Sequence, residues 1–388
     1  MQKKLTNKMR LLALTEPGKT FCVYAWFGVY IDDNKYRTCC QFRPKQNFSV
    51  NDYSIEEFRN SDYQISVRNR MEHGEQIPEC SQCWIDEAHG VTSMRELGNS
   101  MIFPDLRIAQ GLKSIQPLLS VDMKIGSTCN FACAMCNPAD STKLHSEWIK
   151  DQDNEFVKDY TVKYNNYFNY TREIAVNPRL DVLEDALNSG IVHLNILGGE
   201  PLLYKSVIDK LANLNEERKN KITLSFVTNG SQPIVPVVEK LQSYKRINIQ
   251  VSLEGVGKTQ DYIRKHSVWN EIERNVLEFR ALDTNKHTLT VLNLIQALSV
   301  ENEPQLNAWC AKHEIRLQQD LLYNPSYLNI NSLTADFIQS LPAHPSFSNH
   351  THKPEQRARL ARFIEWYESK HTIKLKDISP RVYNDITR

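Results

Sequence analysis

The sequence predicts an α/β protein in which parallel strands joined by helices form an open sheet or a partial barrel. Two observations point there. From about residue 120 onward, short apolar runs alternate with amphipathic segments, the pattern of strand–helix–strand units with right-handed crossovers. Six such runs fall within roughly 200 residues, short of the eight that close a full barrel of ~250.

The strand candidates are "VDMKIG" (121–126), "IVHLNILGG" (191–199), "KITLSFVTNG" (221–230), "RINIQVSLEG" (246–255), "HTLTVLNLIQALSV" (287–300) and "EIRLQQDLLY" (314–323). Between them, Leu203, Val207, Ile208, Leu211 and Leu214 have helical spacing. So do Ile234, Val237, Val238, Leu241 and Tyr244, with Pro233 suited to a first turn, and Trp269, Ile272, Val276 and Phe279. The stretch 140–185 is polar and tyrosine-rich; a structureless loop of that length is uncommon, so one or two helices are expected there. The first 117 residues have a different texture. "FCVYAWFGVYIDDNKYRTCCQF" (21–42) reads as two strands around a "DDNK" turn, and 54–74 as a helix. Near the end, 354–371 reads as an amphipathic helix with Leu360, Phe363, Ile364 and Tyr367 on one side. The expected organisation is a small N-terminal domain (1–117), an α/β domain (118–325) and a helical extension (326–388).

Composition excludes several classes. The 388 residues are 41% hydrophobic and 24% charged, with a net charge of +1, which argues against a broad basic face for nucleic acid. No apolar run approaches the ~18 residues of a membrane span, and "LLAL" near the start is too short for a signal-peptide core. The expected location is the cytoplasm. There, nine cysteines are metal ligands or core residues rather than disulfides. Cys310 shares a helical face with Leu306 and Trp309 and reads as a small buried hydrophobe.

Cys129, Cys133 and Cys136 stand apart. In "GSTCNFACAMCNP" (126–138) they are spaced C-x3-C-x2-C just after the first strand, and sites in such folds gather at strand carboxyl ends. A closed zinc site or a buried structural cluster would want a fourth ligand nearby, and the next cysteine is Cys310. Three thiolates can hold a four-iron cubane and leave one iron open to a small molecule.

"CNFACAMC" followed by "LGGEP" resembles the radical S-adenosylmethionine (SAM) enzymes. The resemblance implies a partial (β/α)6 barrel, a [4Fe–4S] cluster on Cys129, Cys133 and Cys136, and SAM chelated to its open iron. Reduction would cleave SAM to methionine and a 5′-deoxyadenosyl radical that abstracts hydrogen from substrate. Gly198, Gly199, Glu200 and Pro201 would bind the SAM amino group. Thr228 and Asn229 of "VTNG", and Ser252 and Glu254 of "SLEG", would lie by the SAM pocket, with Glu254 where the family commonly has Asp. Arg264 would bind the SAM carboxylate, and the backbone of Met135 would pass near adenine.

Cys22, Cys39, Cys80 and Cys83 supply four more thiolates, enough to close a zinc ribbon or an iron–sulfur site. Their arrangement resembles a twitch domain, a shortened SPASM domain, which implies an auxiliary [4Fe–4S] cluster ahead of the barrel. Cys39 and Cys40 are adjacent on an expected strand and would face opposite ways, so only one should reach the cluster, and the resemblance implies Cys39, which fits the family's position after the turn. The function implied is an oxidoreductase-type radical SAM enzyme acting on a peptide or protein, reduced by a donor such as flavodoxin or ferredoxin. The alternatives are a nucleic-acid or small-molecule substrate, or a non-enzymatic iron–sulfur protein of electron transfer or structure. No residue is singled out as a substrate base or hydrogen donor.

Overall fold

The computed structural model describes residues 20–32, 34–88, 92–100, 118–163, 178–282, 285–344, 347–348 and 350–387. The chain forms two compact units, Met1–Lys124 with Arg179–Ile196, and Ile125–Pro178 with Leu197–Arg388.

In the first unit, β1 (Gly28–Asp32) and β2 (Lys35–Arg37) form the expected antiparallel hairpin, with Tyr30 opposite Arg37. The hairpin is shorter than the sequence suggests. Val23–Phe27 is a helix, and Cys39 and Cys40 lie in a bend beyond β2 rather than on a strand. The expectation that strand pleating separates these two cysteines therefore does not hold. The 54–74 segment is two helices, Ile55–Arg59 and Asp62–Glu72. Ser54 and Glu57 close a capping box on the first, and Ser61 caps the second, so the chain restarts a helix rather than continuing one. β3 (Ser120–Lys124) runs parallel to β1, Gly28 opposite Ser120, and the unit also holds most of β4 (His193–Leu197). Its core gathers Phe21, Val23, Trp26, Phe42, Val67, Met71 and Ile77 with the buried Cys22, Cys39 and Cys80.

The second unit is built on four parallel strands, β5 (Thr223–Thr228), β6 (Arg246–Ser252), β7 (His287–Ile295) and β8 (Arg316–Leu321). Burial alternates along β6, where Ile247, Ile249 and Val251 are buried between less buried neighbours. Helices Lys205–Ala212, Val235–Lys240, Trp269–Arg280 and Glu303–Lys312 fall where the sequence periodicity puts them. Pro236, not Pro233, takes the first-turn position of the second of these. The six strand expectations are met, and the fold is mixed α/β, consistent with a partial barrel.

The 140–185 stretch holds helices Thr142–Lys150, Glu155–Lys163 and Leu180–Asn188; most of the tyrosine-rich segment lies outside the described residues. Helix Pro354–Glu368 joins an apolar cluster with Trp148, Phe156, Tyr262, Ile263, Ala132 and Ala134. Tyr367 donates from its hydroxyl to the Tyr262 carbonyl at 2.7 Å, and Trp366 Nε1 donates to Asp151 Oδ2 at 2.8 Å. Cys310 is buried, as a core residue would be. Among the described residues no helix is long and apolar enough to cross a membrane.

Candidate functional site

The three-cysteine loop is tied on both sides. Ser127 Oγ donates to Ala139 O and Ser141 Oγ to Phe131 O, both at 2.6 Å, which closes the loop on itself. Ala132 N donates to Lys265 O at 3.0 Å and Ala134 N to Ile263 O at 2.8 Å, which fastens it to the end of helix Lys258–Ile263. Cys133 is buried, while Cys129 and Cys136 are partly exposed. Met135 packs against the apolar cluster beside Cys136. Burial pushes the Cys133 thiol up to about 12, against the pull of Arg264, and pushes Cys136 well above the ordinary thiol range. Binding iron would displace these protons, since the thiolate is the ligand form.

The glycine turn lies directly against this loop. Gly199 N donates to Gly126 O and Glu200 N to Thr128 O, both at 2.8 Å. A Cβ on Gly199 would sit 2.3 Å from Thr128 O, and Gly198 has φ +144 with its own Cβ position 2.7 Å from Gly126 O. Only glycine allows this approach. Glu200 is fully buried, and its carboxylate accepts from Thr228 Oγ1 at 2.6 Å, Asn229 N at 2.6 Å and Leu202 N at 3.1 Å. It pins the carboxyl end of β5 to the glycine turn. The Asn229 side chain donates to Asn130 Oδ1 at 3.0 Å and reaches Cys129 Sγ at 3.9 Å. Pro201 opens a short 3-10 turn, and the Tyr204 hydroxyl at its end accepts from Thr128 N at 2.7 Å.

The third wall is an ion pair. Arg264 Nη2 donates to Glu254 Oε1 at 2.7 Å, and Nη1 reaches Cys133 Sγ at 3.8 Å. Glu254 Oε2 accepts from Leu294 N at 3.1 Å. Burial pushes the Glu254 carboxyl up while Arg264 draws it back. Burial pulls Arg264 down, but Cys133 and Glu254 together hold it above its ordinary value. Ser252, at the end of β6, is half-buried two residues before Glu254. Three buried polar atoms here have no hydrogen-bond partner: Arg264 Nε, Gln260 Nε2 and Gln296 Oε1. Unpaired buried groups cost roughly 1–3 kcal/mol each, so their grouping marks a place for a polar ligand. Gln260 and Gln296 also bond Glu254, through its N–H at 2.8 Å and its carboxylate at 3.5 Å. Neither glutamine is legible in the sequence, because a lone Gln carries no spacing signal.

The second unit thus brings Cys129, Cys133, Cys136, Glu200, Asn229, Glu254 and Arg264 into one linked network. The donor set fits a cluster with a polar amino-acid ligand: three thiols, two glycines that admit close backbone approach, and an arginine with a spare buried N–H.

In the first unit, Cys22, Cys39, Cys80 and Cys83 line one small enclosed cavity with Gln41, Phe42 and Arg95. Cys22 precedes helix Val23–Phe27, Cys80 ends the 3-10 turn Pro78–Cys80, and Cys83 lies in the first turn of helix Ser81–Ala88. All four are buried, and burial pushes Cys22 to about 12. Cys39, not Cys40, is among the lining residues. Among the described residues no three Cys, His, Asp or Glu side chains gather around a single metal ion. All nine cysteines are free thiols.

Comparison with known proteins matches residues 123–300 to the Radical SAM superfamily. A probable GTP 3′,8-cyclase of Methanocaldococcus jannaschii is 28% identical over 122 residues, 31% of this chain and 39% of that protein. Among solved structures, native anSMEcpe with bound AdoMet is 19% identical over 65% of this chain and 61% of that one, with a TM-score of 0.41. Streptococcus suis SuiB bound to S-adenosylmethionine is 13% identical over 84% of this chain and 64% of that one, with a TM-score of 0.36. The chain thus spans less than two thirds of the length of each.

Proposed function

With residues 123–300 a domain of the radical SAM superfamily, we propose that the chain reductively cleaves S-adenosylmethionine and takes a hydrogen atom from a peptide or protein. The family implies a [4Fe–4S] cluster and SAM as cofactors. The observation that carries the reading is the network joining the cysteine loop to a buried Glu254–Arg264 pair edged by three unpaired polar atoms. Cys129, Cys133 and Cys136 would hold the cluster. Bound there and reduced by one electron, cluster and SAM would supply methionine and a 5′-deoxyadenosyl radical.

This chain's residues bind and orient. Arg264 would offer its spare N–H to the SAM carboxylate, and the backbone of Gly198–Pro201 would hold the amino group. Glu200 acts through that backbone, because its own oxygens are already engaged by Leu202, Thr228 and Asn229. Ser252 and Glu254 would border the SAM site from the end of β6, with Met135 beside the third cysteine. Cys22, Cys39, Cys80 and Cys83 would hold an auxiliary four-iron cluster in a twitch-like domain at 1–117, ahead of a barrel domain at 118–325 and a helical extension at 326–388. Free thiols suit the reducing cytoplasm, where a flavodoxin or ferredoxin would deliver the electron.

The peptide or protein substrate class follows from the twitch-like arrangement of the N-terminal cysteines. The experiment is anaerobic reconstitution with iron, sulfide, SAM and reductant, followed by assay for 5′-deoxyadenosine and a search for a modified partner. Wild type should form 5′-deoxyadenosine, and the triple Cys129→Ala, Cys133→Ala, Cys136→Ala variant none. Equal turnover in that variant would refute the assignment. A modified nucleotide, in place of a modified peptide, would move the substrate to the small-molecule class.

A further inference from the structure

We propose that Arg95 is the counter-charge that sets the reduction potential of the cluster held by Cys22, Cys39, Cys80 and Cys83. The inference rests on the auxiliary-cluster reading above. It starts from placement: Arg95 lines the same enclosed cavity as the four cysteines. Its backbone N–H bonds the Cys83 sulfur, and its side chain is 12% exposed.

The guanidinium is held rigidly. Nη1 donates to Phe21 O at 2.9 Å, next to Cys22. Nε and Nη2 donate to the two oxygens of Glu87 at 2.9 and 2.7 Å. The ring of Trp84 lies 5.2 Å below, itself fixed by its Nε1 donating to Ile77 O at 2.9 Å. Ser93 Oγ donates to Glu87 Oε1 at 2.5 Å and orients the carboxylate. Glu79 and Asp86 are the other acids adjoining the cysteine pair, one on each side of it in the chain.

A cluster gains one negative charge when reduced. A cation fixed beside its thiolates in a water-poor cavity stabilises the reduced form and raises the potential. Arginine suits the position because its planar fork can grip Glu87 with two N–H groups, donate a third, and stack on an indole at once. Glu87 acts in the opposite sense, as the anion that tempers the arginine. A purely architectural Arg95 would affect cluster retention without moving the potential in a signed way.

The test uses the full chain with Cys129, Cys133 and Cys136 all changed to Ala, so that a single cluster is observed. Wild-type surroundings, Arg95→Gln, Arg95→Lys and Glu87→Gln are compared by iron content and by EPR-monitored redox titration. Arg95→Gln should shift the one-electron equilibrium toward the oxidised cluster by about tenfold, 59 mV. Arg95→Lys should recover most of that shift. Glu87→Gln should move the potential the other way, and it decides the matter if Arg95→Gln fails to retain iron. Intact iron with both one-electron equilibria within about twofold of the parent's, or both potentials moving in one direction, overturns the role of Arg95. A parent that takes up zinc and no iron overturns the auxiliary-cluster reading, and this inference with it.

Discussion

Replacing Glu200 by alanine withdraws one acceptor group from three donors at once. The Leu202 and Asn229 N–H groups and the Thr228 hydroxyl lose their partner, and Glu200, Thr228 and Asn229 are all at most 5% exposed. A buried donor left unpaired costs ~1–3 kcal/mol, so three set an outer range of roughly 3–9 kcal/mol. The Leu202 bond is the longest, at 3.1 Å, and the Thr228 hydroxyl already accepts from Gly230 N at 3.1 Å and can turn to a new acceptor. That lowers the expectation to about 4 kcal/mol, a large share of a typical domain's ~5–15 kcal/mol. Urea denaturation should show a loss of that size, and hydrogen exchange should show the Asn229 amide losing protection together with the end of β5. SAM affinity should fall in parallel, because the glycine turn is no longer pinned. Glu200→Gln keeps one acceptor but turns an N–H toward a donor, so it should recover only part of the loss. A destabilisation under ~1 kcal/mol with unchanged exchange at Asn229 would refute the pinning role.

Two further outcomes are expected. Cys39→Ser should lose the auxiliary iron, about half of some eight irons per chain, while Cys40→Ser retains it; iron and sulfide analysis after reconstitution checks this, and the reverse result would exchange the two ligands. Asp122→Asn tests an acid half-buried on β3: its desolvation pushes the carboxyl to about 7 from an ordinary 3.8, against a bond from Asn195. The folded chain therefore holds a proton that the unfolded chain releases between about pH 4 and 7, and stability falls as pH rises through that window. The penalty reaches up to about 4 kcal/mol above pH 7, at ~1.36 kcal/mol per pH unit. Asp122→Asn should remove it, raising Tm at pH 8 and leaving it nearly unchanged at pH 4; parallel curves for the two proteins would refute the assignment.

The strands and the cysteine loop were legible because each has a local signature. β6 alternates buried and less buried residues over seven positions, and three cysteines within eight residues have few uses. What the sequence hides is set by distant pairing. The parallel pairing of β1 with β3 brings Gly28 opposite Ser120, and no period in either segment announces it. Val23–Phe27 has β-rich composition yet folds as a helix, with Ala25 N bonded back to Cys22 O at 3.0 Å, so tertiary packing overrides propensity there. The same limit applies to side-chain roles. "GGEP" identifies Glu200, but its three donors come from two separate turns, and their convergence exists only in the folded chain.

The clasp between helix Pro354–Glu368 and the cysteine loop has a consequence for how the protein is made. Trp366 meets Asp151 across 215 residues of chain, and Tyr367 holds the carbonyl of Tyr262, next to the segment whose backbone ties down Ala132 and Ala134. During synthesis the three thiols leave the ribosome long before the helix that backs them. At ~5–20 residues per second, that interval lasts on the order of ten seconds or more. Throughout it the loop is an unbraced, oxidisable trithiol, and iron delivered then would meet a seat whose rear wall has not yet been translated. On the proposed cluster assignment, loading would therefore follow the emergence of helix Pro354–Glu368, and a chain cut before residue 354 should emerge with its cysteines intact and their seat unformed.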